Sequence, residues 1–302
     1  LELRRLRASA QAVEDAMPIL GLDVGGANLK AALDGGPARA QRFELWKRPR
    51  ELTKALMYLT AGLGEWDAIA LTMTGELCDC FASRREGVLA ILDAVEVMSE
   101  SKPIGVWRTD GRFADLAEAR IQPLAVAASN WLALATFAGR FAPRGTALLL
   151  DVGSTTTDIV GLLDGAPVPQ GRDDLSRLRS GELLYTGVRR TPACALLGGD
   201  GAAELFATTL DAYLLLGQID ECEADRDTAD GRPATRPHAH ARLARMLCAD
   251  AETLSLEETE QMAHVLQQRQ SELVARSIQR VVASLPTPPT TVILAGSGEF
   301  LA

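Results

Sequence analysis

An apolar run that breaks at Asp-Val-Gly occurs twice in this chain, and any fold must accommodate both copies in the same way. The second copy, Leu148 to Gly165, reads LLLDVGSTTTDIVGLLDG. Its apolar run ends at Asp151, Gly153 permits a sharp reversal, and Ser154, Thr155, Thr156 and Thr157 follow. A second strand-like run, Ile159 to Leu163, closes on Asp164-Gly165, a favoured two-residue hairpin turn. The first copy, Ile19 to Gly36, reads ILGLDVGGANLKAALDGG. Asp151 follows Asp23 by 128 positions and Asp164 follows Asp34 by 130, so the internal spacing is nearly conserved. Two copies at one spacing predict two related halves.

The turn has a legible chemistry. Backbone N–H groups exposed at a glycine bend, with hydroxyls beside them, form a cradle for phosphate oxygens. A carboxylate at a strand end can hold Mg²⁺ directly or through water. A single Asp-x-Gly after a strand is also what an ordinary hairpin looks like, so the weight rests on the repetition.

The paired hairpins resemble those of the superfamily that contains acetate and sugar kinases, Hsp70 and actin. The resemblance implies an α/β fold of two ribonuclease-H-like (actin-like ATPase) domains, with mixed sheets flanked by helices and a central cleft. The corresponding division is an N-terminal extension at 1–17, a first domain at 18–145 and a second at 146–302. The second carries a polar insertion around 165–237. The late strand Thr291 to Ala295 ends at Gly296-Ser297-Gly298, a turn that the superfamily places against a nucleotide. Only four residues follow it, and a domain of this type is expected to continue further.

Between the motifs, the spacing predicts a third strand over Gln41 to Trp46 and a helix from about Pro49 to Leu63. A buried strand is predicted over Asp67 to Met73. Ser83-Arg84-Arg85-Glu86 is a capping box opening a helix to about Met98. Gln122 to Phe141 reads as one buried helix and Ala202 to Leu216 as another. Asp164 to Pro192 and Asp220 to Pro237 read as polar loops. Helices are expected from His238 to Cys248 and, after the capping box at Ser255, as far as Leu285.

Composition narrows the partners. The 302 residues carry a net charge of −9, which argues against a nucleic-acid or anionic-membrane surface. No apolar run approaches the roughly 20 residues that span a bilayer, and the first residues lack the apolar core of a secretory signal. Five scattered cysteines suit a reducing cytoplasm. Cys78-Asp79-Cys80 has no second Cys or His pair at zinc spacing, and His238 and His240 on one helix point apart.

Further stretches resemble the hydantoinase/oxoprolinase-related proteins linked to one-carbon metabolism. They are TGELCDCF (Thr74 to Phe81), GVWRTDGRF (Gly105 to Phe113), SNWLALATF (Ser129 to Phe137), SGELLYTGVRRTP (Ser180 to Pro192) and DRDTADGRPATR (Asp225 to Arg236). Among such proteins are synthases that accompany tetrahydromethanopterin- and methanofuran-dependent metabolism. The resemblance implies an Mg²⁺-dependent transferase that joins a furanylmethyl diphosphate to γ-glutamyltyramine, forming an ether and releasing diphosphate. ATP is compatible with such a fold but is not required by that reaction. A cytoplasmic location and small-molecule partners are implied, and a homodimer is left open.

On that reading Asp23 and Asp151 are the candidate metal ligands and belong with Glu76 to the catalytic set. Gly25, Gly26, Asn28, Lys30, Gly153, Ser154, Thr155, Thr156, Gly296, Ser297 and Gly298 are the candidate phosphate contacts. Arg189, Arg190 and Asn130 are the candidate substrate contacts, the arginines through bidentate pairing with carboxylate or diphosphate. Glu76, at the end of a buried strand, is the candidate base for a phenol of pKa about 10. Competing roles exist: a solvated strand lysine for Lys30, a helix-start carboxylate for Glu76, and a surface position for one of the two arginines. An ATP-dependent lactam hydrolase, a small-molecule kinase and a nucleotide switch of the Hsp70 type remain alternatives.

Overall fold

The computed structural model describes residues 18–302, so the expected N-terminal extension at 1–17 lies outside the described residues. The chain divides into two compact units, one ending at Leu134 and one spanning Ala135–Ala302.

The first unit is built on β1 (Ile19–Val24), β2 (Asn28–Leu33), β3 (Ala38–Arg42), α1 (Leu52–Thr60), β4 (Ala68–Met73), α2 (Arg84–Ser99), β5 (Ile104–Trp107), β6 (Phe113–Ala114) and α3 (Leu116–Ile121). Its mixed sheet runs β3-β2-β1-β4-β5-β6. β1 pairs antiparallel with β2 and parallel with β4. Alternate residues of β1 (Leu20, Leu22, Val24) and of β4 (Ile69, Leu71, Met73) are buried. They meet Leu52, Leu56 and Leu59 of α1 and Val88, Ile91 and Val95 of α2 in one core. The period-2 pattern of the strands and the 3.6-residue pattern of the helices thus converge on the same apolar layer. Ser83 caps α2, its Oγ accepting the Glu86 N–H at 3.2 Å, as the capping box predicts.

The helix α4 (Asn130–Ala138) leads to the second unit's β7 (Thr146–Val152) and β8 (Thr157–Leu163). After them come β9 (Ala166–Pro167), α5 (Asp174–Ser180), β10 (Leu183–Leu184), α6 (Ala193–Leu197), α7 (Thr209–Leu215), α8 (Arg236–Arg245), α9 (Leu256–Ala283) and β11 (Thr291–Ala295). This sheet runs β10-β8-β7-β11, with β9 beside β8. β7 pairs antiparallel with β8 and parallel with β11, repeating the relation of β1 to β2 and β4. Two mixed sheets flanked by helices match the expected fold class.

Four sequence expectations change. The single helix over Gln122 to Phe141 is instead a 3₁₀ turn at Pro123–Ala125, a left-handed Ala128 (φ 48°), α4, and a second 3₁₀ turn at Gly139–Phe141. The left-handed Ala128 interrupts any continuous helical ladder there. The segment over Ala202 to Leu216 is helical only from Thr209, because Asp211 turns its carboxylate back to accept the Thr208 N–H at 2.9 Å and so starts the helix late. The polar stretch after Asp164 contains α5, capped by Asp173 and ended by Gly181 at φ 86°. The third strand stops at Arg42, since the next two buried side chains, Phe43 and Leu45, wrap the chain around the first hairpin.

Candidate active site

The second glycine hairpin is held by its carbonyls. Gly153 N–H donates to Thr156 O at 2.8 Å, closing the turn. Gly153 O accepts the Val188 N–H at 3.0 Å, and Ser154 O accepts both the Arg189 and the Arg190 N–H at 3.0 Å. The N–H groups of Ser154, Thr155 and Thr156 have no backbone acceptor among the described residues. A half-buried turn with its carbonyls tied inward and successive N–H groups left over is an anion-binding concavity. Asp151 stands at the end of β7 directly before it, half-buried, opposite Asp158 of β8 and beside Ala295 of β11. Asp158 accepts Arg177 Nη2 at 2.8 Å, and burial raises its pKa despite that guanidinium.

The late turn walls the same strand end. Gly298 N–H donates to Val152 O at 2.9 Å. Gly296 has φ 92°, and a Cβ there would lie 2.3 Å from Val152 O and 2.5 Å from Asp151 Oδ1. Ser297 between them is exposed. Thus Gly153, Ser154, Thr155, Thr156, Gly296, Ser297, Gly298 and Asp151, taken from two distant stretches, share one end of the second sheet.

The first hairpin repeats the design. Gly25 N–H donates to Asn28 O at 3.0 Å, Gly26 O accepts the Leu45 N–H at 2.9 Å, and Ala27 O accepts the Phe43 N–H at 3.0 Å. Thr74 N–H donates to Val24 O at 3.0 Å, as Gly298 does to Val152 O in the other unit. The side chains differ. Asp23 accepts Thr72 Oγ1 at 3.2 Å and lies 3.3 Å from Nζ of Lys30, its cross-strand partner. Lys30 is exposed and so retains freedom to turn toward a ligand; Asn28 is exposed as well. At Gly26 a Cβ would come within 2.8 Å of Cys78 Sγ, so any side chain there would have to displace Cys78.

The side chains of the remaining candidates are engaged by their neighbours or half-buried. Glu76 follows β4 in a short 3₁₀ turn (Gly75–Leu77) and is only 1 % exposed, with Arg84 Nε 3.6 Å from its carboxylate. Gly87 of α2 presses on it so closely that a Cβ there would meet Glu76 O at 2.2 Å. Arg189 is ion-paired with Asp225 of the polar segment at 220–237, which brings that segment to the second hairpin's clasp. Arg190 is half-buried beside it. Asn130 spends its Oδ1 on the Trp131 N–H at 2.8 Å, a local contact at the start of α4. His238 and His240 each bond a threonine, Thr235 and Thr259, at 2.8 Å.

Sequence reasoning missed the groups behind the clasp. A Cβ on Gly187 would come within 2.5 Å of Gly153 O, Ser154 C and Thr155 N. Thr191 of the same stretch, Thr209 of α7 and Gln270 of α9 all bond this glycine's backbone. The one available signal was a glycine inside an otherwise ordered SGELLYTGVRRTP stretch.

Among the described residues no group of three or more His, Cys, Asp or Glu side chains is placed to hold a metal ion by itself. Mg²⁺ asks for less: one or two carboxylates, with phosphate oxygens and waters completing the shell. Asp151 beside the N–H turn fits that demand. Asp23, engaged by Thr72 and Lys30, fits it less directly.

The family described as Hydantoinase/oxoprolinase matches residues 67–302. The chain is 34 % identical over 292 residues to the (4-{4-[2-(gamma-L-glutamylamino)ethyl]phenoxymethyl}furan-2-yl)methanamine synthase of Methanocaldococcus jannaschii, covering 93 % of this chain and 86 % of that protein. It is 32 % identical over 160 residues to the synthase of the same name from Methanococcus vannielii, covering 50 % of this chain and 71 % of that one. Among solved structures, nucleotide-free acetone carboxylase aligns with a TM-score of 0.51 at 8 % identity, covering 90 % of this chain and 64 % of that chain. That last likeness concerns the fold alone. No helix among the described residues is long and apolar enough to cross a membrane.

Proposed function

The chain belongs to the hydantoinase/oxoprolinase family and is an enzyme, and from that premise we propose that it is a synthase of methanofuran-type cofactor biosynthesis. The proposed reaction joins a furanylmethyl diphosphate to the phenol of γ-glutamyltyramine. The bond between the furanylmethyl carbon and the diphosphate oxygen breaks, the phenol oxygen forms the ether bond to that carbon, and diphosphate leaves. The observation that carries this reading is the second hairpin, whose inward carbonyls and open N–H groups at Ser154, Thr155 and Thr156 suit a multiply charged leaving group. Fixed N–H dipoles stabilise charge that develops as the bond breaks, without reorganising at that moment.

Mg²⁺, when bound, would neutralise the diphosphate, and Asp151 is the residue we assign to hold it, with Asp23 a second candidate. Gly25, Gly26, Asn28 and Lys30 are assigned to phosphate in the first unit. The phenol proton goes to a carboxylate, for which we propose Glu76. The phenol has to open the Glu76–Arg84 pair to reach it. Arg189, Arg190 and Asn130 are assigned to the γ-glutamyl acceptor, with Arg189 exchanging Asp225 for a substrate carboxylate.

The test is incubation with a furanylmethyl diphosphate, γ-glutamyltyramine and Mg²⁺ in the absence of ATP, with mass spectrometry for the ether. Ether and free diphosphate are expected in equal amounts. An absolute need for ATP, or ADP release with no ether, would return the chain to the hydrolase or kinase alternatives.

A further inference from the structure

We propose that Gln270 is a positioning residue for the diphosphate turn, acting through Gly187 without touching the substrate. This inference rests on the reading that the second hairpin takes the diphosphate.

Gln270 lies in the middle of the 28-residue α9 and is fully buried, although glutamine is seldom found so. A buried amide must find partners or cost stability, and this one finds them on three sides. Its Nε2 donates to Gly187 O at 2.9 Å and to Thr186 Oγ1 at 2.8 Å. Its Oε1 accepts the Tyr213 hydroxyl at 2.5 Å. Tyr213 is itself fully buried, and burial raises its pKa, so that hydroxyl keeps its proton and stays a donor. A committed donor on Oε1 fixes which way the amide faces. The NH₂ group is thereby aimed at Gly187.

Gly187 is where the aim matters. Its carbonyl also accepts Thr209 Oγ1 at 2.8 Å, and its N–H donates to Thr191 Oγ1 at 2.9 Å. Its missing side chain lets the backbone lie flat on Gly153, Ser154 and Thr155. The next three residues, Val188, Arg189 and Arg190, then deliver the N–H groups that hold Gly153 O and Ser154 O inward. The chain of contacts runs from α7 and α9 through one amide to the orientation of the turn. If the amide is removed, the Gly187 carbonyl keeps Thr191 and Thr209 but loses the one donor from α9, and the turn's N–H groups lose their fixed direction. A misplacement of 1 Å is enough to cost a large factor in such a site.

The experiment compares wild type, Gln270→Leu and Tyr213→Phe. Binding of inorganic diphosphate with Mg²⁺ is measured by calorimetry well below each protein's Tm. Amide hydrogen exchange at Val188, Arg189 and Arg190 is followed in the same samples. Gln270→Leu is expected to weaken binding about tenfold or more and to speed exchange at those three amides. Tyr213→Phe keeps the glutamine but frees its orientation, so it should shift both readouts the same way by less. It also serves if the leucine variant does not fold. A residue that only supports the fold would lower Tm and leave the affinity and the three amides of the folded protein unchanged. That result overturns the proposal. Should wild type itself fail to bind diphosphate, the reading of the hairpin falls, and exchange at Val188 to Arg190 still decides whether Gln270 holds the clasp.

Discussion

Asp151 is the residue on which the proposed chemistry turns. It stands near the end of a strand whose other members are buried, and its carboxylate lies close to the Gly296 backbone. Its cross-strand neighbour is another carboxylate, Asp158, whose charge is answered by Arg177. Two acids facing each other across a ladder are unfavourable unless cations answer them, and in the proposed reaction Mg²⁺ would add positive charge there. Asp151→Asn keeps the shape and removes the charge. Turnover is expected to fall by about 10²-fold or more, with a melting temperature close to wild type. Mg²⁺-dependent turnover and a melting curve on one preparation check this; unchanged turnover removes Asp151 from the site.

At the scale of elements, what could be read in advance was whatever has a local cause. The hairpins were legible because Asp-Val-Gly and Asp-Gly dictate turns by themselves. The helices opened by Ser83 and Ser255 were legible because a capping box satisfies backbone donors within four residues. Ser255 Oγ accepts the Glu258 N–H at 3.3 Å, while Glu258 Oε2 accepts the Ser255 N–H at 2.9 Å. Ser255→Ala is accordingly expected to cost about 1 kcal/mol of stability, seen as a lower urea midpoint at unchanged slope. What was not legible depends on residues far away in sequence. Gln270 meets Gly187 across 83 positions and Arg269 reaches Asp200 across 69, and no periodicity announces either. The start of α7 at Thr209 has a local cause, the Thr208–Asp211 capping box, whereas the bond from the buried Arg242 to Asp211 spans 31 positions and was not legible. In the candidate site, the turn residues were visible in the sequence, whereas the clasp behind them was not.

For the molecule as a whole, 40 acidic against 31 basic residues make its response to acid a matter of which carboxylates are held by cations. Asp110 is the clearest case. The Arg108 guanidinium, hydrogen-bonded to it at 2.9 Å, holds its carboxyl at about 2, below the usual 3.8, against the cost of its partial burial. A carboxyl whose folded pKa is depressed stabilises the fold fully above pH 4. That contribution fades as pH falls toward 2. After allowance for solvent screening it amounts to about 1 kcal/mol. Asp110→Asn should therefore be less stable than wild type by that amount at pH 7, with the gap closing near pH 2. Urea titrations at the two pH values check it, and a gap that widens in acid refutes it.

The doubled hairpin has a consequence for descent. What is repeated between the units is main chain: the same closing hydrogen bond, turn carbonyls that accept from a neighbouring segment, and a donor reaching across from just beyond the neighbouring parallel strand. What is not repeated is the residue facing the strand-end aspartate, Lys30 in one copy and Asp158 in the other. A grip made of peptide groups survives almost any exchange of side chains. Each copy is therefore at liberty to vary its side chains, Lys30 standing 3.3 Å from Asp23 in one and Asp158 facing Asp151 in the other, without disturbing the main-chain turn. Lineages carrying this scaffold could change the organic half of the substrate, and even the reaction, by altering side chains alone.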